Sequence, residues 1–169
     1  MMKKLLFGLI VLLVSSCSYK FNGASIPDEM KTINIAFFEN NAALVDPNLS
    51  QAFTEDFKTR IRTQSKLSIT QNEANGKFEG KITDYDIKPI SIQDNTKPIA
   101  GANRLTITVS VTYTVNIKGK EKEGFTQVFT AFTDFSLAGQ SLAPQQAALN
   151  KKVIDQLTEN IFNRAFAQW

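Results

Sequence analysis

LTITVSVTYTVNI, residues 105–117, sets Leu105, Ile107, Val109, Val111, Tyr113, Val115 and Ile117 in unbroken alternation with Thr106, Thr108, Ser110, Thr112, Thr114 and Asn116. A period of two over so many residues predicts a β-strand with one buried and one polar face. At about 3.3 Å per residue it would run roughly 40 Å, long for a small domain. Lys118 to Gly124 follows as a charged turn, and Phe125 to Phe135 is strand-like again, so the pair reads as a long antiparallel hairpin.

Upstream, Pro89 to Ala102 holds two prolines and Gly101 and reads as a loop or flap that could take a ligand. Before it, Phe78, Gly80 and Ile82 alternate, then Tyr85 and Ile87 take the opposite parity, which predicts a bulge near Asp84. Leu67 and Ile69 mark a short strand within Lys66 to Thr70. A helix is expected to start from Asp46 as cap with Pro47 at its first position, because Leu49, Phe53, Phe57 and Ile61 recur at helical spacing. Ile33, Ile35 and Phe37 alternate within Lys31 to Phe37 as a first strand. Leu149, Val153, Leu157, Ile161, Ala165 and Trp169 fall four apart along a closing amphipathic helix. The expected fold is α+β: two helices packed on one face of a mixed β-sheet, with a possible parallel crossover from the first strand through the first helix.

The 169 residues, 43% hydrophobic and 21% charged, suit one domain. Residues 1–16 carry Lys3 and Lys4, an apolar run from Leu5 to Val14 and then Ser15 and Ser16, the pattern of a removed signal peptide. That run is about half of the roughly 20 residues a spanning helix needs. Cys17, the only cysteine, follows Leu13-Val14-Ser15-Ser16 in the manner of a lipoprotein box, where small residues admit the peptidase and only a thiol can become the thioether that carries diacylglycerol. Residues 17–30 then read as a lipidated tether and 31–169 as the single domain. With Lys3 and Lys4 removed the charge falls to near +1, which offers no basic stripe for nucleic acid. The chain has no histidine, which excludes Ser-His-Asp and Cys-His catalysis and histidine-containing zinc or haem sites. No cofactor is expected.

Asp84 and Asp86 share a strand face and could in principle serve acid–base chemistry, but no nucleophile motif, phosphate loop or ligand cluster accompanies them, so solvated carboxylates are the expected reading. Most of the 13 phenylalanines sit at core parity; for Phe38, Phe125 and Phe132 alternation does not fix the side. The outward residues of the long strand, Thr106, Thr108, Ser110, Thr112 and Thr114, are polar and uncharged. That face either lies against another protein or is a plain solvent face of good strand propensity.

These residues resemble the LptE family of lipopolysaccharide-assembly lipoproteins, in the form found in Bacteroidetes-type bacteria. The resemblance rests on the order and spacing of several stretches: Cys17-Ser18-Tyr19-Lys20-Phe21 with Gly23-Ala24-Ser25-Ile26-Pro27, Ile35 to Asn40, Asp46-Pro47-Asn48-Leu49-Ser50, Phe78-Glu79-Gly80 with Ile82 and Tyr85, Asn103-Arg104-Leu105-Thr106, and Ile161 to Phe166 with Trp169. It implies an outer-membrane lipoprotein, not an enzyme, that faces the periplasm, plugs the LptD β-barrel and helps insert lipopolysaccharide into the outer leaflet. It also implies two helices on a mixed sheet. The uncharged threonine face would then suit a polar barrel lumen. Basic side chains are expected to meet lipopolysaccharide phosphates, and by chemistry Arg104, Lys118, Lys120 and Lys122 are the candidates. The alternative is a free periplasm-facing lipoprotein that binds a glycan or peptide.

Overall fold

The computed structural model describes residues 26–44, 46–90, 102–137, 139 and 141–167. The signal peptide, Cys17, most of the tether, the greater part of the Pro89–Ala102 loop and Trp169 lie outside them. The elements run β1 (Thr32–Ile35), β2 (Glu39–Asn40), α1 (Leu49–Gln64), β3 (Ser68–Ile69), β4 (Gly76–Pro89), β5 (Ala102–Val115), a 3-10 turn (Glu121–Glu123), β6 (Phe125–Ser136) and α2 (Ala143–Phe166). The six strands form one sheet in the order β3-β1-β4-β5-β6, with β2 also on β4. β1 runs parallel to β3 and β4, while β4, β5 and β6 form an antiparallel meander. This is the expected α+β architecture with a mixed sheet.

The long alternation becomes β5, three residues earlier than its sequence boundaries at the start and two shorter at the end. Its apolar row from Leu105 to Val115 is buried under the helices, and the threonine row faces out. Threonine and valine suit a half-buried pleated surface because branching at Cβ stiffens χ1 in the extended range. The expected bulge is present: Ile82 pairs with Val109 and Asp84 with Thr108, leaving Thr83 as the extra residue and turning Tyr85 inward.

The first strand differs from its expected form. Alternation placed Phe37 beside Ile33 and Ile35, yet Phe37 is 58% exposed and Phe38 is fully buried. Ile35 pairs with Phe78 and Glu39 with Lys81, so four steps on one strand answer three on the other. One residue is therefore surplus, and the side chains change face. Gly80 makes room for the shift. A Cβ there would come within 2.8 Å of a Phe38 ring carbon and 2.1 Å of the Ser110 carbonyl oxygen.

The core lies between the sheet and the helices as a chain of rings. Phe38 meets Phe53 at 5.0 Å, Phe57 meets Phe78 at 4.9 Å edge-on, and Phe78 stacks on Tyr113 at 4.4 Å. Pairs of this kind add about 0.5–1.5 kcal/mol each beyond the area they bury. Met30, at the end of the sequence-defined tether, joins this core at 3% exposure, and the Tyr113 hydroxyl contacts its sulfur at 3.4 Å.

α1 starts at Leu49 rather than at Pro47. Asn48 occupies the cap position without a side-chain cap bond, and Asp46 closes the preceding turn instead, its Oδ1 accepting from the Asn48 amide at 2.9 Å. The other carboxylate oxygen of Asp46 accepts from Asn150 at 2.7 Å and Gln146 at 3.0 Å, both on α2. Tyr85 donates to Asn150 Oδ1 at 3.1 Å. One buried carboxylate thus ties the start of α1 to α2 and, through Asn150, to β4. Toward the other end of α1, the Arg60 Nε donates to Thr158 Oγ1 at 3.0 Å.

Candidate interaction face

Both helices cover one face of the sheet, and among the described residues nothing covers the other, the open face. Cross-strand register arranges the open face in three columns of different chemistry. β4 contributes charged side chains, including the ion pairs Lys77–Glu79 and Lys88–Asp86. β5 contributes Thr106, Thr108, Ser110, Thr112 and Thr114. β6 contributes Thr126, Val128, Thr130 and Phe132, with Val128 59% and Phe132 47% exposed. Asp84 and Asp86 stand in the charged column opposite Thr108 and Thr106, with Asp86 engaged by Lys88.

The threonine column is braced toward β6. Thr108 bonds Thr130 and Thr112 bonds Thr126, hydroxyl to hydroxyl, each at 3.1 Å. A hydroxyl offers one donor and two acceptor positions, so each braced threonine keeps capacity for a further partner. β6 is the sheet's last strand, and its Phe125–Ser136 stretch has neither lysine nor proline, the residues that most often guard such an edge. Phe132 answers one of the parity questions left by the sequence: it faces out, while Phe38 is buried and Phe125 is partly buried against the core.

The four basic candidates do not form one cluster. Arg104 lies near one end of β5, and Lys118, Lys120 and Lys122 lie past the other, about 45 Å away at strand rise. Arg104 makes a two-pronged pair with Asp134 at 2.7 and 2.8 Å while its guanidinium stacks 3.9 Å from the Phe132 ring centre. That bonding holds the Asp134 carboxyl below the ordinary aspartate value and raises the guanidinium still further. Lys120 pairs with Glu29 at 3.5 Å, whereas Lys118 and Lys122 are exposed without an ion pair among the described residues. Sequence reasoning missed Asp134 as the partner of Arg104, and Val128 as an exposed side chain opposite Ser110. The signal was the parity of β6, which became readable only once its register against β5 was fixed.

A shallow cleft of about 530 Å³ opens where the first turns of α1 and α2 approach, lined by Asp46, Asp56, Asn150 and Lys151 among others. Lys151 spans it, pairing with Asp56 at 3.2 Å and Asp155 at 2.6 Å. Its polar groups thus bind one another and brace the two helices.

Two helices backing a mixed sheet whose other face no described residue covers define a two-layer α+β domain. The chain belongs to the LptE family, whose model is described as lipopolysaccharide-assembly and matches residues 30–165. Membership gives the chain a role in lipopolysaccharide assembly.

Solved structures share the fold at low identity. The protein CT253 from Chlamydia trachomatis is 10% identical with a TM-score of 0.56, covering 82% of this chain and 99% of that one. The protein XCC0632 from Xanthomonas campestris is 8% identical with a TM-score of 0.55, over 82% of this chain and 83% of its own. The rare lipoprotein B from Shewanella oneidensis is 12% identical with a TM-score of 0.50, over 79% and 92% respectively. No curated protein matches the chain.

Proposed function

We propose that this protein is a lipid-anchored outer-membrane subunit of the lipopolysaccharide transport machinery that seats in an LptD-type β-barrel and assists insertion of lipopolysaccharide into the outer leaflet. The anchor is the acylated Cys17. The observation that carries the reading is the open sheet face: Thr106, Thr108, Ser110, Thr112 and Thr114 form an uncharged hydroxyl column beside exposed Val128 and Phe132. A barrel lumen is polar, and hydroxyls exchange bonds with it without the cost of desolvating charge. Arg104, Lys118, Lys120 and Lys122 are the side chains offered to lipid A phosphates, with Arg104 engaging after its pair with Asp134 opens.

The test is recovery from outer membranes in mild detergent through a C-terminal tag. The expected result is a barrel of LptD size in equal amount. Recovery of this lipoprotein alone would overturn the reading and favour a free lipoprotein that binds a glycan or peptide. Lysine at Thr106, Thr108 and Thr112 together is expected to remove the barrel from the pulled-down fraction while the domain stays folded. Alanine at the four basic positions is expected to weaken lipopolysaccharide binding without touching barrel recovery.

A further inference from the structure

The chain enters the described domain at one end of the sheet, and the cations that lack partners gather at that same end. Ile26 to Met30 leads into β1 beside the β5–β6 turn, where Glu29 meets Lys120 and Met30 meets Tyr113. Lys31 and Lys66 are brought together because the Lys31 carbonyl accepts from the Ser68 amide. Asn75 accepts from the Lys31 amide, and its carbonyl accepts from the Asn116 amide, which places Lys118 and Lys122 alongside. Lys31, Lys66, Lys118 and Lys122 are all exposed, and none makes an ion pair among the described residues. Arg62, in the last turn of α1, is also exposed without such a pair.

The acidic groups of this end are partly engaged. Glu29 takes Lys120, and Glu121 accepts from the Gly119 amide at 3.1 Å. Asp28, Glu73 and Glu123 complete the set. Toward the opposite end most cations among the described residues are paired: Lys88 with Asp86, Arg104 with Asp134, and Lys151 with Asp56 and Asp155, which leaves Lys152 beside them without an ion pair. Elsewhere among the described residues only Lys81 stands without an acidic, amide or aromatic partner.

We infer that, while the anchored domain stands outside a barrel, this end is a membrane-contact surface: Lys31, Lys66, Lys118 and Lys122 rest on the anionic phosphates of phospholipid headgroups in the leaflet that holds the Cys17 acyl chains, and Lys118 and Lys122 exchange these phosphates for those of lipid A on assembly. The inference rests on the lipid-anchor reading above and adds an orientation to it. Ile26 is nine residue steps from Cys17, a reach of at most about 30 Å, so the anchor keeps this end close to the bilayer surface. Juxtamembrane lysines are attracted to anionic surfaces by about fivefold in association each, which selects the upright pose over one lying flat. The Arg104 end then stands about 45 Å away, close to the full thickness of a bilayer with its headgroups.

The experiment uses the acylated full chain on vesicles of phosphatidylcholine, with and without phosphatidylglycerol, carrying a headgroup-attached quencher. Cys17 is consumed by acylation, so a single fluorophore is placed at Glu121→Cys in the turn or at Lys88→Cys at the far end. The expected result is quenching about threefold or more stronger at the turn than at the far end, rising with phosphatidylglycerol and falling with salt. The exposed pair Lys118→Gln and Lys122→Gln, checked for an unchanged fold by circular dichroism, should remove the phosphatidylglycerol-dependent part. Vesicles that float without the protein would overturn the anchor reading and this inference with it. Protein that floats with equal quenching at both ends, or with no response to phosphatidylglycerol, would overturn this inference alone.

Discussion

Arg104 carries three interactions with one planar group: two parallel hydrogen bonds to Asp134 and a stack over Phe132. Only a guanidinium does this, because its fork matches a carboxylate while its face remains free for a ring. The pair stabilises the ionised form of Asp134 and sets its pKa below the ordinary aspartate value. The contribution is therefore present above the unfolded-state pKa and is lost as pH falls through the lower folded value. A carbon-detected NMR titration should find the Asp134 carboxyl titrating below the ordinary aspartate value, and Arg104→Gln should return it toward that value. A midpoint at or above the ordinary aspartate value in the parent protein would remove the clamp. The sequence displayed Arg104 as a cation near a strand start, but Asp134 is thirty residues away and the pairing depends on register. No local pattern at Arg104 contains that information.

The strand elements show where periodicity suffices and where it fails. β5 was legible because thirteen residues repeat one rule, and the bulge at Thr83 was legible because parity reversed within a single run. The break between β1 and β2 was not, because Phe37 and Phe38 are both phenylalanine and the choice between them rests on Gly80 across the sheet. Gly80→Ala tests this. Its Cβ would meet a backbone oxygen, which cannot turn aside as a side chain can, so β4 and β5 must part or Phe38 must leave its site. The expected cost is about 3 kcal/mol, read as a lower denaturation midpoint. Stability unchanged within error would show that Phe38 does not depend on the close approach. For the helices, Asp46→Ala should cost about 2–3 kcal/mol, since it leaves the amide donors of Gln146 and Asn150 facing an emptied buried site. Asp46 was expected as a simple cap. Its second attachment spans a hundred residues of sequence and had no local signature.

At the scale of the whole molecule, the proposed arrangement, an anchored domain seated in a barrel, puts the encounter under two independent influences: how often the domain is near and how well it fits. An acyl anchor raises the local concentration of the domain at the membrane without adding any contact to the barrel. On the proposed reading the exposed sheet face supplies the contacts and adds nothing to proximity. The two influences separate under mass action. Cys17→Ser should leave the domain folded, since Met30 is the first buried residue among those described, and should lower barrel recovery at native expression. Raised expression should restore that recovery, because concentration replaces what the anchor supplied. Lysine at Thr106, Thr108 and Thr112 should fail at every expression level, since three ammonium groups pressed against a lumen wall each carry a desolvation cost that concentration offsets only weakly. Recovery measured against expression level for both variants gives two curves, one displaced and one flat near zero. If the lysine variant instead follows the displaced curve of Cys17→Ser, the threonine column is not the seat of the barrel contact, and the unguarded β6 edge with Val128 and Phe132 becomes the surface to change next.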